Sequence, residues 1–291
     1  MNLTETIDIL VNVALGIIML GLGLSLTFND FKNLFRLPKP IIVGFLSQII
    51  VLPIISFAIA YFSHLSDIMK VGLIIIAICP VGASSSLVVH LFKGNLALSL
   101  SLTIINSIIA PITIPILTNI ALFIFLHQNA EINFPILQSI AQIGLNIILP
   151  TLVGIFIRYF FEKTAKSIEK PLKYILPIIL LIVFSSKIFY GGDNLTPNLS
   201  LIEIFKIAPY VLALNIIGMY SGFFAARLMK LELKNRVTIA IEVGLQNTAL
   251  ALVVAGSMLK NSEMEKPILV YAMFTFFTAI LFAWYHSRAI K

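Results

Sequence analysis

The stretch E-V-G-L-Q-N-T-A-L-A, residues 242–251, places one carboxylate and two amide side chains inside an apolar run. Only 11% of the residues in the chain are charged, and the nearby basic residues Arg236 and Lys260 flank this run without entering it. A charge near the bilayer centre costs about 2.5–3.5 kcal/mol even on the lenient insertion scale. Either the segment does not cross a membrane, or it crosses one in order to hold something polar.

The composition is that of an integral membrane protein. The 291 residues are 59% hydrophobic and the mean hydropathy is +1.03, whereas soluble domains are about 45–50% apolar. The single cysteine, Cys79, excludes an internal disulfide and a cysteine-cage metal site. A net charge of +7 would suit a nucleic-acid partner, but the basic residues follow a membrane pattern instead, and no such partner is expected.

About 20 apolar residues cross a bilayer core as a helix, and the chain divides into nine such segments. They cover roughly residues 7–29, 40–63, 68–92, 95–126, 133–160, 171–190, 203–228, 237–259 and 266–287. We interpret the first segment as a retained helix because the acids Glu5 and Asp8 precede it. A signal peptide has its positive end first. No linker separates domains, so a single membrane domain over residues 1–291 is expected.

The distribution of basic residues predicts the orientation in the membrane. When alternate loops are grouped, one side carries only Lys70, Lys187, Lys206, Lys260 and Lys266. All the other lysines and arginines lie on the opposite side, which the positive-inside rule places in the cytoplasm. The sequence therefore predicts a multi-pass protein of the cell (inner) membrane with its N-terminus outside and its C-terminus in the cytoplasm.

Two predicted spans carry residues that interrupt a helix. The third contains A-I-C-P-V-G-A-S-S-S-L-V-V-H (77–90), in which Pro80 removes a backbone donor and Gly82 favours non-helical backbone. The eighth contains I-E-V-G-L-Q-N-T-A-L-A-L-V (241–253), with a similar valine-glycine pair before a polar cluster. Small residues that merely allow close helix packing are the alternative explanation. Broken spans in corresponding positions of two halves are typical of transporters with inverted repeats.

Glu242 is the one acid that the predicted spans place away from a membrane surface. A protonated carboxyl bonded to a serine is one explanation, and a bound cation is the other. Hard cations take oxygen ligands, and broken helices expose backbone carbonyls. Neutral oxygens are offered by other spans at Ser85, Ser86, Ser99, Thr103 and Gln48. One carboxylate with several neutral oxygens suits a monovalent ion, which favours sodium; Lys187 is the only intramembrane base that could pair with Glu242 instead.

The half-helices that follow the two breaks predict an anion site at their N-termini. A half-helix N-terminus carries unpaired N–H groups and a partial positive charge. Half-helices that start near Ser84 and Asn247 would direct these donors at the middle of the bundle, where they could hold a carboxylate or sulfonate. The surrounding side chains are apolar, so the body of the substrate is expected to be largely apolar.

Three stretches resemble the bile acid:sodium symporter family. They are E-V-G-L-Q-N-T-A-L-A (242–251), C-P-V-G-A-S-S-S-L-V-V-H-L-F-K-G-N-L-A-L-S-L-S-L-T (79–103) and L-G-I-I-M-L-G-L-G-L-S-L-T-F-N-D-F-K-N-L-F-R-L-P-K (15–39), the last followed by Gln48 in S-Q-I-I-V-L-P. The resemblance implies an all-α membrane protein in its nine-helix form. Inverted repeats would build a panel and a core sub-bundle, and the discontinuous third and eighth spans would cross in the core.

The resemblance also implies two sodium sites and a substrate crevice. The first site would use Ser85, Ser86, Ser99, Thr103 and Glu242. The second would use Gln48, Gln246 and backbone carbonyls near Glu242, Val243 and Leu245. Ala83, Ser84 and Asn247 would face the substrate. The chain departs from the family where Ser86 replaces a usual Asn and Ala83 replaces a common Thr.

The sequence thus predicts a monomeric secondary transporter, not an enzyme, that couples sodium to an organic anion by alternating access. A sodium/proton antiporter would need a titratable pair, yet Asp8, Asp30, Asp67 and Asp193 all lie at predicted span ends. An intramembrane hydrolase built from Ser84–Ser86 and His90 lacks a G-x-S-x-G elbow. Bile-salt-like sterols and small carboxylates both remain open as substrates.

Overall fold

The computed structural model describes residues 3–27, 36–82, 84–126, 135–168, 171, 175 and 199–288, and these are almost entirely helical. The helices are α1 (Leu3–Ser25), α2 (Pro38–Phe62), α3 (Asp67–Ile78), α4 (Ser84–Leu91), α5 (Leu96–Leu126), α6 (Ile136–Phe160), α7 (Leu201–Leu228), α8 (Leu233–Gly244), α9 (Thr248–Met258) and α10 (Ser262–Ser287). A further helical stretch follows α6 at 162–168.

Five helices are long and apolar enough to cross a membrane: α2, α5, α6, α7 and α10. Apolar side chains such as Ile54, Phe156 and Phe277 are well exposed on their outer faces, as expected of surfaces that meet lipid. The protein is therefore an all-helical, multi-pass membrane protein. The predicted sixth span, 171–190, lies almost wholly outside the described residues, so the count of nine spans remains a prediction.

Helix starts follow capping residues in the sequence. Ser200 and Glu203 form a reciprocal capping box at the start of α7, and Asn261 caps α10 by accepting hydrogen bonds from Glu263 N and Met264 N. The Lys266 Nζ atom lies 2.6 Å from Glu203 Oε1 and also contacts Glu263. These ion pairs fix the starts of α7 and α10 against each other.

Both predicted interruptions are present. Helix α3 ends at Ile78 and α4 begins at Ser84, while α8 ends at Gly244 and α9 begins at Thr248. Pro80 has no N–H to continue α3, and the Asn247 side chain caps α9 by accepting a hydrogen bond from Leu250 N at 3.0 Å. We call residues 79–83 the first break and residues 245–247 the second break.

The two breaks bind each other through their backbones. Gly82 N donates to Leu245 O at 2.8 Å and Asn247 N donates to Pro80 O at 2.8 Å, which gives an antiparallel bridge between Val81 and Gln246. A Cβ atom on Gly82 would lie 3.1 Å from Gln246 O, so glycine permits the close approach. Non-helical backbone is tolerated at membrane depth only where protein satisfies it, and here each break satisfies the other.

The breaks lie at the centre of the bundle. Helix α3 is buried on every side from Val71 to its end, and α8 is almost fully buried between α7, α10 and the half-helix α4. Helices α1 and α6 form a close pair, because a Cβ atom on Gly23 or Gly154 would overlap the backbone of the other helix. Asn12 of α1 reaches α9 by donating to Ser257 Oγ at 3.1 Å. The division into panel and core sub-bundles stays a prediction.

Candidate functional site

Glu242 lies in the last turn of α8 and is only 1% exposed. Its carboxylate is contacted by two hydroxyls of α5: Ser99 Oγ donates to Oε1 at 2.6 Å, and Thr103 Oγ1 lies 3.3 Å from Oε2 and 3.0 Å from Ser99 O, between which its one proton is shared. Ser99 and Thr103 are one turn apart, so they present both hydroxyls on one face. The carboxylate therefore faces the interior of the bundle and not the lipid.

The serines that open α4 complete the same cluster. Ser86 Oγ lies 3.2 Å from Ser99 Oγ. Ser85 is fully buried and its hydroxyl lies near the Glu242 carboxylate, but it is not oriented so as to form a hydrogen bond with it. All five residues predicted for the first sodium site are thus brought together. Among the residues that the structure describes, no group of three or more His, Cys, Asp or Glu side chains could hold a metal, so a cation here would depend on neutral oxygens.

Gln48 and Gln246, predicted for the second sodium site, are in direct contact. The Gln48 Nε2 atom donates to Gln246 Oε1 at 2.7 Å and to Cys79 O at 3.1 Å. The Gln246 amide in turn donates to Val243 O. Gln48 lies in a π-helical turn of α2, Ser47–Val51, which the sequence analysis did not predict. Such turns are frequent at functional sites, and this one brings the Gln48 amide to both breaks.

The carbonyls predicted as further ligands already accept protein donors. Val243 O accepts from Gln246, and Leu245 O accepts from Gly82 N at 2.8 Å. Each carbonyl oxygen has two lone pairs, so each retains capacity for a second partner.

A buried polar cluster that the sequence analysis missed surrounds Gly244. The Gly244 carbonyl accepts from Asn215 Nδ2 at 2.8 Å, from the Tyr271 hydroxyl and from Thr275 Oγ1 at 3.1 Å. Thr278 Oγ1 donates to Asn215 Oδ1 at 2.6 Å. The available signal was Asn215 itself, a lone amide within the apolar stretch L-A-L-N-I-I-G (212–218). The reasoning applied to Glu242 would have singled it out.

The residues predicted to face the substrate are only partly placed. Ser84 is exposed at the start of α4, and Ala83 lies outside the described residues. Asn247 is buried; its Oδ1 caps α9, while its Nδ2 has no hydrogen-bond partner. Asn247 thus offers an unused donor beside the N-terminus of a half-helix. His90 is exposed at the far end of α4, which keeps its ring away from Ser84.

Comparison with known proteins matches residues 12–198 to the sodium bile acid symporter family. The chain is 30% identical over 282 residues to the uncharacterized sodium-dependent transporter YocS of Bacillus subtilis, covering 97% of this chain and 84% of the relative. It is 29% identical to human sodium/bile acid cotransporter 4 and 26% identical to the mouse ileal sodium/bile acid cotransporter, each over 85% of this chain. It spans 56% of the human protein and 69% of the mouse protein.

These matches confirm the resemblance that the residues around Glu242 first indicated. They agree with the observed apolar spans and with a buried carboxylate surrounded by oxygen donors. The chain belongs to the sodium bile acid symporter family, whose members are sodium-coupled membrane transporters rather than enzymes.

Proposed function

We propose that this protein is a secondary active transporter that uses the sodium gradient to move an organic anion by alternating access. The observation that carries the proposal is the Glu242 carboxylate, which is buried at the second break and bound only by hydroxyls. None of the ion pairs found among the described residues includes Glu242, and Lys187 lies outside them. A sodium ion would supply the missing positive charge.

The first sodium site is proposed at Ser85, Ser86, Ser99, Thr103 and Glu242. Hydroxyl donors stabilise a carboxylate but leave its net charge uncompensated, which is costly inside a membrane. The unsatisfied Ser85 oxygen supports an additional ligand at this position. Ser86 has a shorter side chain than the Asn usual in the family, and its oxygen contacts Ser99. It would therefore reach the ion beside Ser99 rather than from the opposite side.

The second sodium site is proposed at Gln48, Gln246 and the carbonyls of Glu242, Val243 and Leu245. Support comes from the contact between the two glutamines and from the place of Gln246 in the chain, directly before Asn247. Residues 242–247 contribute to both ion sites and to the substrate crevice. Ion binding that orders this segment would therefore also position Asn247, which gives a physical basis for coupled transport.

The proposed substrate is an amphipathic or small organic carboxylate or sulfonate. The unpartnered Asn247 amide and the half-helix N-termini of α4 and α9 offer hydrogen-bond donors and partial positive charge to an anion. Relatives named for bile acids are consistent with an amphipathic acid. Ala83 and Ser84 would complete the crevice from the first break.

We also propose nine spans arranged as inverted repeats in one domain over residues 1–291, with a panel and a core. The similar valine-glycine pairs at the two breaks support the repeat, and the close packing of α1 on α6 supports the panel. The third and eighth spans would cross at the breaks. The basic residues support an N-terminus outside the cell membrane and a C-terminus in the cytoplasm. The protein would act as a monomer.

The proposal is tested on purified protein by comparing thermal unfolding in sodium and in potassium at equal ionic strength. Binding to the folded state alone raises its stability, so sodium should raise Tm by several degrees. Proteoliposomes with an inward sodium gradient are then offered labelled carboxylates and sulfonates, including a bile salt. Equal Tm values in the two salts, together with sodium-independent uptake of every anion tested, would overturn the proposed function.

A further inference from the structure

A narrow cleft opens beside the first break, at the C-terminal end of α3. It encloses ≈ 270 Å³ of space between atoms, part of it open to the outside, and is lined by Gln48, Cys79, Pro80, Asn106 and Thr113 among apolar side chains. Its interior has room for about one particle of the size of a water molecule. An organic substrate is too large for this interior, whereas a dehydrated monatomic ion fits.

Asn106 brings an unsatisfied oxygen to this cleft. The side chain is only 5% exposed, and its Oδ1 atom has no hydrogen-bond partner. Leaving a buried polar atom unsatisfied costs about 1–3 kcal/mol, so such atoms in native proteins call for a bound ion or water. Asn106 belongs to α5, the helix that also carries Ser99 and Thr103, but it lies about two and one turns beyond them.

The other polar groups of the cleft are also oxygen acceptors. The Gln48 Nε2 donors are used by Gln246 and Cys79, whereas Gln48 Oε1 receives only a long contact of 3.5 Å from Gln246 Nε2. Thr113 lies two turns beyond Asn106 on the same helix, where its hydroxyl donates to Ile109 O, so it lines the cleft without sharing an ion with Asn106. The end of α3 adds the partial negative charge of a helix C-terminus, about half an elementary charge. An acceptor-lined cleft with this dipole favours a cation.

We propose that Asn106 Oδ1 and the Gln48 side-chain oxygen form a third monovalent-cation position at the C-terminal end of α3. This inference rests on the proposed sodium coupling and extends it. Gln48 belongs both to this position and to the proposed second sodium site. The cleft would therefore be an intermediate binding position for a sodium ion on its way to Gln246. Asn106 is then a residue that determines sodium affinity without belonging to either of the two sites described above.

The test uses Asn106→Leu, which removes the oxygen and keeps the number and branching of the side-chain heavy atoms, in the full-length purified protein. The matched control is Asn119→Leu on the same helix, because the Asn119 amide donates to Pro115 O at 2.9 Å within its own helix. Sodium is titrated against potassium at constant ionic strength, and Tm is followed. The sodium midpoint should rise about five- to tenfold in the Asn106 variant, the loss expected for one ligand, and stay unchanged in the control.

A second variant, Asn106→Asp, keeps the test decisive if the leucine variant does not fold. A carboxylate at this position should lower the sodium midpoint several-fold, because it adds charge to an oxygen ligand. Unchanged midpoints in the Asn106 variants, with a normal wild-type response, would overturn the third position and leave the proposed function standing. A wild-type protein that does not respond to sodium would instead overturn the proposed function.

Discussion

The first and second breaks each follow a half-helix that ends at the centre of the bundle. The terminal carbonyls of these two half-helices accept hydrogen bonds from different groups. At the end of α8, the Gly244 carbonyl binds donors from Asn215, Tyr271 and Thr275. At the end of α3, the Cys79 carbonyl binds the Gln48 amide, and the neighbouring Asn106 oxygen has no partner. Hydrogen-bond donors of the protein thus compensate the partial negative charge at the C-terminus of α8, whereas the C-terminus of α3 still favours a positive charge nearby.

This difference separates two tasks. A carbonyl with three donors fixes the backbone of the second break, so that Glu242, two residues earlier, and Gln246, two residues later, are held in place. Beside the first break, the unpartnered Asn106 oxygen is available to a mobile ion. A rigid break beside a receptive one is a physically reasonable arrangement for a transporter that must bind an ion and later release it. The predictions below test each half of this comparison.

The largest effect is expected from Glu242→Gln, which removes the charge and preserves the shape of the side chain. Sodium-dependent stabilisation and sodium-driven uptake should both be lost, because the remaining oxygens at the first site are neutral. In potassium the variant should be at least as stable as wild type, since it no longer buries a charge. Thermal unfolding in the two salts measures both effects.

The control for this experiment is Glu263→Gln, which neutralises a half-exposed acid at the start of α10. It should retain the sodium response. A Glu242→Gln protein with a wild-type sodium response would mean that the glutamate is protonated and simply bonded to Ser99 and Thr103. That outcome would remove the cation from the first site.

An intermediate effect is expected from Asn215→Leu, which removes the central amide of the cluster around Gly244. We expect a loss of about 2 kcal/mol in the free energy of unfolding, because buried hydrogen-bonding groups lose their partner. The sodium midpoint should also rise, because the second break is no longer fixed. Thr278→Val, which removes only the hydroxyl bonded to Asn215 Oδ1, should be milder. Equal stability of Asn215→Leu and wild type would show that the second break needs no such support.

The smallest effect is expected from Gly82→Ala at the contact between the breaks. The new Cβ atom would lie 3.1 Å from Gln246 O, so the breaks must separate by a few tenths of an ångström, at a cost of about 1 kcal/mol. The matched control is Gly16→Ala, where nothing lies within 4 Å of the added atom. Denaturant unfolding compares the two variants, and a Gly82 variant as stable as the Gly16 variant would show that the contact is loose.

The positions of the breaks could be predicted from the sequence because proline, glycine and small polar residues act on their own backbone. The convergence of Glu242 with Ser99 and Thr103 was also accessible, because a buried polar group must find a polar partner and few exist in an apolar chain. The pairing of Gln48 with Gln246 came only from the family resemblance. The family resemblance assigned these groups to two sites.

The cluster around Gly244 was not predicted because its acceptor is a backbone carbonyl. Asn215, Tyr271 and Thr275 each predict a hydrogen bond inside the bundle. Because every residue has a backbone carbonyl, the sequence does not indicate which carbonyl is the acceptor. The π-helical turn at Ser47–Val51 depends on a change in backbone hydrogen bonding that side-chain periodicity does not record. Asn106 was missed because an unsatisfied oxygen is a property of the packed structure and not of the residue type.

The bridge between Val81 and Gln246 has a mechanical consequence. Two backbone hydrogen bonds join the breaks inside the membrane, where lipid chains could not offer substitute hydrogen-bond partners. Separating the breaks would leave the backbone N–H and C=O groups of both bonds without partners. We therefore expect the four half-helices to move together as one rigid unit during the proposed transport cycle. If the protein works by the proposed alternating access, relative motion would then occur at a less extensive contact, such as the one between α1 and α9 that contains the Asn12–Ser257 hydrogen bond.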